Sequence, residues 1–168
     1  RIITAEFGPL TVVNTYVPNG TSVGSEKWTY KLGWLERFRD YLAQTIARNP
    51  NTVWLGDINI ARTPDDVWDS GKVRNGVGHH PDEFSRLDAL TGLGLTDCFR
   101  KFWDGPGHYT YWEFFIPNSV QRNIGWRIDH VYAPGPLADR CTRCTIDKAP
   151  RLLEKPSDHT FVIAEFDV

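Results

Sequence analysis

Thr52-Val53-Trp54-Leu55-Gly56-Asp57-Ile58-Asn59 is a short apolar run that stops on a glycine and an acid. Thr52–Leu55 reads as a buried strand, and its end delivers Gly56 and Asp57 to the surface. Two further acidic motifs follow in order, Arg127-Ile128-Asp129-His130 and Ser157-Asp158-His159. Each of their carboxylates again falls at or beside the end of a β-like run. A lone Asp after a strand is more often a turn or cap residue. Three in series, the last beside a proline turn, imply something else: strand ends hold side chains rigidly, and three converging ends would bring carboxylates, an amide and an imidazole within reach of one phosphate.

Outward from this strand the pattern is mixed. Ile2–Phe7 and Leu10–Val17 alternate around Gly8-Pro9, which predicts a β-hairpin, and Asn19-Gly20 ends it. Between Ser25 and Arg48 the residues Trp28, Leu32, Leu35, Phe38, Leu42 and Ile46 recur at helical spacing, predicting one long amphipathic helix closed by Asn49-Pro50. Pro81 opens a second helix that runs to about Thr91. Thr110–Phe115, Arg127–Tyr132 and Phe161–Phe166 read as further strands. Ala61–His80, rich in Gly, Asp, Asn and Arg, reads as a long surface loop near Asp57. No repeat or linker interrupts the chain, so a single domain of the α/β class is expected over residues 1–168.

Composition narrows the setting. The 168 residues are 40% apolar and 13% aromatic, enough to bury a core. No run of about 18 apolar residues predicts a membrane span, and the N-terminus lacks the features of a signal peptide, so the expected location is the cytoplasm. Three cysteines do not suit a disulfide scaffold. Cys141-x-x-Cys144 without a second ligand pair does not read as a zinc site, and His79-His80 reads as loop. A net charge of −2 argues against indiscriminate coating of nucleic acid. Between Gln121 and Lys155, however, seven basic side chains stand against four acidic ones, a stretch able to hold a phosphate backbone.

Six segments then carry a resemblance: Val13–Gly20, Trp54–Ala61, Gly94–Arg100, Tyr109–Trp112, Gly125–His130 and Pro156–His159. In this order they resemble the exonuclease III family of abasic-site endonucleases, within the endonuclease/exonuclease/phosphatase superfamily. The resemblance implies a four-layer α/β sandwich of the DNase I-like type. It implies a DNA-repair phosphodiesterase that uses magnesium, with manganese as a substitute, and acts on double-stranded DNA at abasic sites and 3′ ends. It assigns Asp57 to aligning or deprotonating the attacking water, Asn59 and Tyr16 to the phosphate, Asp129 with His159 to a proton-carrying pair, and Asp158 to the metal. Whether Asp57 or His159 is the base stays open. Tyr111, Trp126 and Ile128 match an apolar pocket for a base-less sugar, with Arg127 beside them, and Lys27 and Lys31 fall near the expected DNA face.

Family members begin with roughly a third more chain, which carries an Asn and the metal-ligating Glu of a Gln-Glu motif. This sequence starts at Arg1 and has no Met. The expectation is therefore a truncated form in which mainly the C-terminal sheet and its helices remain. Its uncovered inner sheet face would be about 1000 Å², roughly 25 kcal/mol of burial at 25 cal/mol per Å². Such a face predicts association, as a homodimer or with the missing part, through Phe161–Val168. Two other functions are weighed: a catalytically impaired DNA-binding fragment, and a phosphatase of small molecules, which Trp126 and the basic helix face oppose.

Overall fold

The computed structural model describes all of residues 1–168. Strands β1 (Ile2–Phe7) and β2 (Leu10–Tyr16) form the expected hairpin over Gly8 and Pro9. Helix α1 (Glu26–Arg48) then carries the chain back over the sheet, so β3 (Thr52–Asp57) lies parallel to β2. Parallel neighbours need such a crossover, and the helix supplies it. Ser25 caps α1, its Oγ accepting from Trp28 N at 3.1 Å. Strand β5 (Asp129–Pro134) is antiparallel to β3, and the short β4 (Leu95–Asp97) closes that side, giving the order β1-β2-β3-β5-β4.

Alternation along these strands builds two cores. Val13, Trp54 and Tyr132 face one side, where they meet Leu35, Phe38 and Leu42 of α1 and Leu87 and Leu90 of α3 (Pro81–Thr91). Val53, Val131 and Ala133 face the other side and meet Cys141, Cys144 and Val162 of a second sheet, made of β6 (Cys141–Asp147) and β7 (Phe161–Phe166). Helices, main sheet and second sheet therefore stack in layers, as the DNase I-like expectation required. Between the two sheets an apolar groove of about 350 Å³ remains, lined by Leu10, Val12, Leu55, Val131 and Ile163 among others. No helix is long and apolar enough to cross a membrane.

Three sequence expectations need correction. Thr110–Phe115 is not a strand: only Tyr111 makes bridges, to Trp126 and to His159, while Thr110 spends its hydroxyl on neighbouring amides. The Ala61–His80 segment is not featureless, since it holds a 3-10 turn at Pro64–Asp66 and the short helix α2 (Ser70–Val73). Trp103 is not core. It is 42% exposed, with its indole N–H donated to Cys144 O at 2.8 Å, whereas Trp112 is fully buried.

Candidate active site

Strand register brings the first residues together. Tyr16 on β2 is opposite Asp57 on β3, and Asp57 is opposite Asp129 on β5, so one cross-strand row ends in a phenol and two carboxylates. Gly56 permits this row, because at φ +122° a side chain is strained and a Cβ would collide with the Thr15 carbonyl of the neighbouring strand. The row opens into a pocket of about 290 Å³, whose lining includes Tyr16, Asp57, Asn59, Tyr111, Asp158 and His159.

Asp57 and Asn59 are locked to each other. Asp57 Oδ1 accepts from Asn59 N at 2.9 Å and Oδ2 accepts from Asn59 Nδ2 at 2.9 Å. The same amide nitrogen also donates to Val17 O at 3.0 Å, while Asn59 Oδ1 accepts from Asn19 Nδ2 at 3.1 Å. Both amide hydrogens are thus engaged, and Asn59 would have to release one before it could bond to a phosphate. Burial, and then the charge of Asp129 across the strands, push the Asp57 carboxyl up to about 6, against the pull of His159, the Asn59 N–H and Lys31.

Asp129 stands behind His159 and outside the pocket lining. Its Oδ2 accepts from His159 Nδ1 at 2.8 Å. A carboxylate can only accept, so Nδ1 carries the hydrogen and Nε2 is left free of this pair. Burial opposes charge on the imidazole, but the hydrogen bond and charge of Asp129, with Asp57 and Asp158 nearby, hold His159 above its ordinary value. Thr110 fixes the acid itself: the backbone N–H groups of Ile128 and Asp129 both donate to its Oγ1 at 3.1 Å.

Tyr111, Trp126 and Ile128 form a wall of the same pocket. Antiparallel bridges join Tyr111 to Trp126 and Tyr111 to His159, and the Tyr111 and His159 rings lie 5.0 Å apart. Burial, then Glu113, Asp158 and Asp57, push the Tyr111 phenol up to about 12, which keeps it a neutral donor. Asp158 lines the pocket, and its side chain accepts only from Ser157 Oγ at 3.5 Å. No three His, Cys, Asp or Glu side chains group closely enough to hold a metal ion by themselves.

Two substrate-binding expectations are overturned. Arg127 is 2% exposed and faces inward, with Nε donating to Asp66 Oδ1 at 2.7 Å and Nη2 paired with Asp97 Oδ2 at 2.8 Å. Its guanidinium fork binds the buried Asp66 and the part-buried Asp97, and its remaining Nη1 is enclosed, so burial keeps the group from DNA. Lys31 is fully buried and pairs with Glu83, so it is not on an exposed face. Lys27 is exposed in the first turn of α1 but is not part of the pocket lining. Sequence reading missed Asn19, Val77, Gly78 and Glu113, which also line the pocket. Asn19-Gly20 carried a signal, but only as a turn.

The sequence pattern of the endonuclease/exonuclease/phosphatase family matches residues 1–159. A DNA repair nuclease, APEX1, from Danio rerio is 36% identical over 131 residues, covering 77% of this chain and 41% of that protein. The structure of an AP endonuclease from Archaeoglobus fulgidus superposes with a TM-score of 0.95 at 41% identity, covering 100% of this chain and 65% of the other. A 3′ phosphatase from Neisseria, solved with a product DNA hairpin, gives a TM-score of 0.95 at 32% identity, with 100% and 65% covered. The chain spans 38% to 59% of the length of the first curated relatives it matches. Fold, motif order and these similarities agree that the chain belongs to the endonuclease/exonuclease/phosphatase family, in its exonuclease III and AP endonuclease branch.

Proposed function

We propose that this chain forms the catalytic core of a metal-dependent DNA-repair phosphodiesterase, which incises double-stranded DNA 5′ of abasic sites and trims 3′ ends. The observation that carries this reading is one pocket faced by Asp57 with Asn59 and by His159, which Asp129 backs from outside the lining. Water attacks phosphorus in line with the departing oxygen: a P–O bond forms on one side, the opposite P–O bond breaks, and the leaving oxygen takes a proton from solvent. Asp57, ionised above about pH 6, takes the proton of the attacking water. His159, whose hold on a proton Asp129 strengthens, donates from its free nitrogen to a phosphate oxygen as charge develops there. Tyr16 and Asn59 orient the phosphate, and the wall of Tyr111, Trp126 and Ile128 accepts a sugar without its base.

Asp158, together with Asp57, offers hard oxygen donors on one side of this pocket, which fits a divalent cation that completes its shell with water and phosphate oxygens. Magnesium is the cation proposed, with manganese as its substitute. When bound it neutralises phosphate charge.

The test is a labelled duplex with one abasic analogue, incubated with the chain and titrated with magnesium or manganese, beside Asp57→Asn. A single metal-dependent incision that disappears in the variant supports the reading. Salt-dependent binding without incision would replace it with the DNA-binding reading.

A further inference from the structure

Lys31 and Glu83 are two opposite charges with no exposed side-chain surface, in direct contact. The Lys31 ammonium donates to Asn59 O at 2.8 Å and to Asn19 O at 3.0 Å. Glu83 uses its other oxygen to accept from Gly78 N at 2.8 Å and His80 N at 3.2 Å. One pair therefore ties together α1, the first turn of α3, the turn after β2, the bend after β3 and the segment around Gly78. Asn19, Asn59 and Gly78 all line the candidate pocket. Room for the lysine stem comes from Gly20, at φ +96°, where a Cβ would stand 3.2 Å from Lys31 Cδ.

Stability alone does not account for such a pair, because well-packed apolar residues of equal volume usually serve a core as well or better. What the charges add is direction. Asn59 sits at φ +54°, a left-handed conformation that must be held by its surroundings, and its carbonyl is where Lys31 bonds. The next group along is Asp57, whose two oxygens rest on the Asn59 N–H and amide.

We propose that Lys31 and Glu83 are positioning residues of this site: Lys31 acts through Asn59 to fix the aim of Asp57, and Glu83 holds both Lys31 and the Gly78–His80 segment. This rests on the reading of Asp57 as proton acceptor. The charged groups facing Asp57 are Asp129 from β5, His159 from the segment before β7 and Lys31 from α1.

The test compares Lys31→Arg, Lys31→Met and the double variant Lys31→Met with Glu83→Gln. Lys31→Met alone leaves a buried unpaired carboxylate, which destabilises the fold, so the double variant, which removes both charges, is the deciding one. The expected result is a fall in kcat of ~100-fold, the scale for a misaimed reacting group, with KM changed less than kcat and partial rescue in Lys31→Arg. NMR of the Asn59 side-chain amide, read without DNA, should show its resonances shifted in the double variant, because that amide reports the contact with Asp57 that Lys31 aims. Unchanged kcat with unchanged Asn59 amide resonances would overturn the proposal, even if the melting temperature fell. If the parent chain shows no incision, the functional reading fails, and the Asn59 resonances still decide the positioning role.

Discussion

Asp57 and Asp129 are direct partners across β3 and β5, two carboxylates in one strand register. Like charges placed so destabilise a sheet, and the structure meets the strain from both sides. His159 takes Asp129 by its Nδ1 hydrogen, and Asn59 takes Asp57 by two hydrogens. The repulsion that remains is part of what lifts the Asp57 carboxyl to about 6.

Stability should report that lift. A carboxyl raised from 3.8 to about 6 binds more protons folded than unfolded between those values, so its contribution is present at pH 3 and lost as pH rises through 6. Replacing the group by an uncharged one removes the loss. Asp57→Asn is expected to be more stable than the parent at pH 8 by ~2 kcal/mol relative to the same comparison at pH 4. Urea melts at the two pH values check it, and an equal difference at both would reject it.

Asp129→Asn should lower the titration midpoint of His159, because the imidazolium loses its carboxylate partner. Turnover should drop by ~100-fold or more, through loss of the held tautomer. Proton NMR of His159 against pH, beside abasic-duplex incision, gives both readings. A midpoint that stays in place would remove the pair from the mechanism.

Trp126→Ala should widen the pocket between Tyr111 and Ile128. Discrimination for a base-less sugar over an intact nucleotide is then expected to fall by ~10-fold or more, as for other pockets that select by size. Incision of abasic and undamaged duplexes at matched concentrations measures the ratio, and a ratio equal to the parent's would place selection elsewhere.

Arg127→Ala should unfold the chain more readily and not weaken its contact with DNA. Removing one partner from a buried ion pair costs ~3–5 kcal/mol, and the lower end is expected here, because Asp66 keeps Arg100 at 2.6 Å while Asp97 loses its guanidinium partner. Denaturation in urea tests the first part. The salt dependence of DNA binding by the folded fraction tests the second, since loss of a phosphate contact lowers the slope by about 1.

The chain order of the acids was readable because strands announce themselves by alternation and stop at Gly or Pro. Asp57, Asp129 and His159 lie where those stops predicted. Lys31 and Arg127 misled for a common physical reason: a cation looks solvent-facing in one dimension, and its burial is decided by a distant acid. Glu83 lies 52 positions after Lys31, and Asp66 lies 61 before Arg127. Neither spacing is a local signal. Thr110 was read as a strand residue among aromatic neighbours, but its hydroxyl takes the place of a ladder partner.

That hydroxyl links two properties that are usually engineered apart. Thr110 Oγ1 receives the amides of both Ile128, a wall of the pocket, and Asp129, the partner of His159. A backbone shift that makes room for a larger substrate at Ile128 therefore drags the histidine's carboxylate with it. Variants at these two positions should be non-additive, and broadening what the pocket admits would slow what the site does with it unless residue 110 changes in the same step.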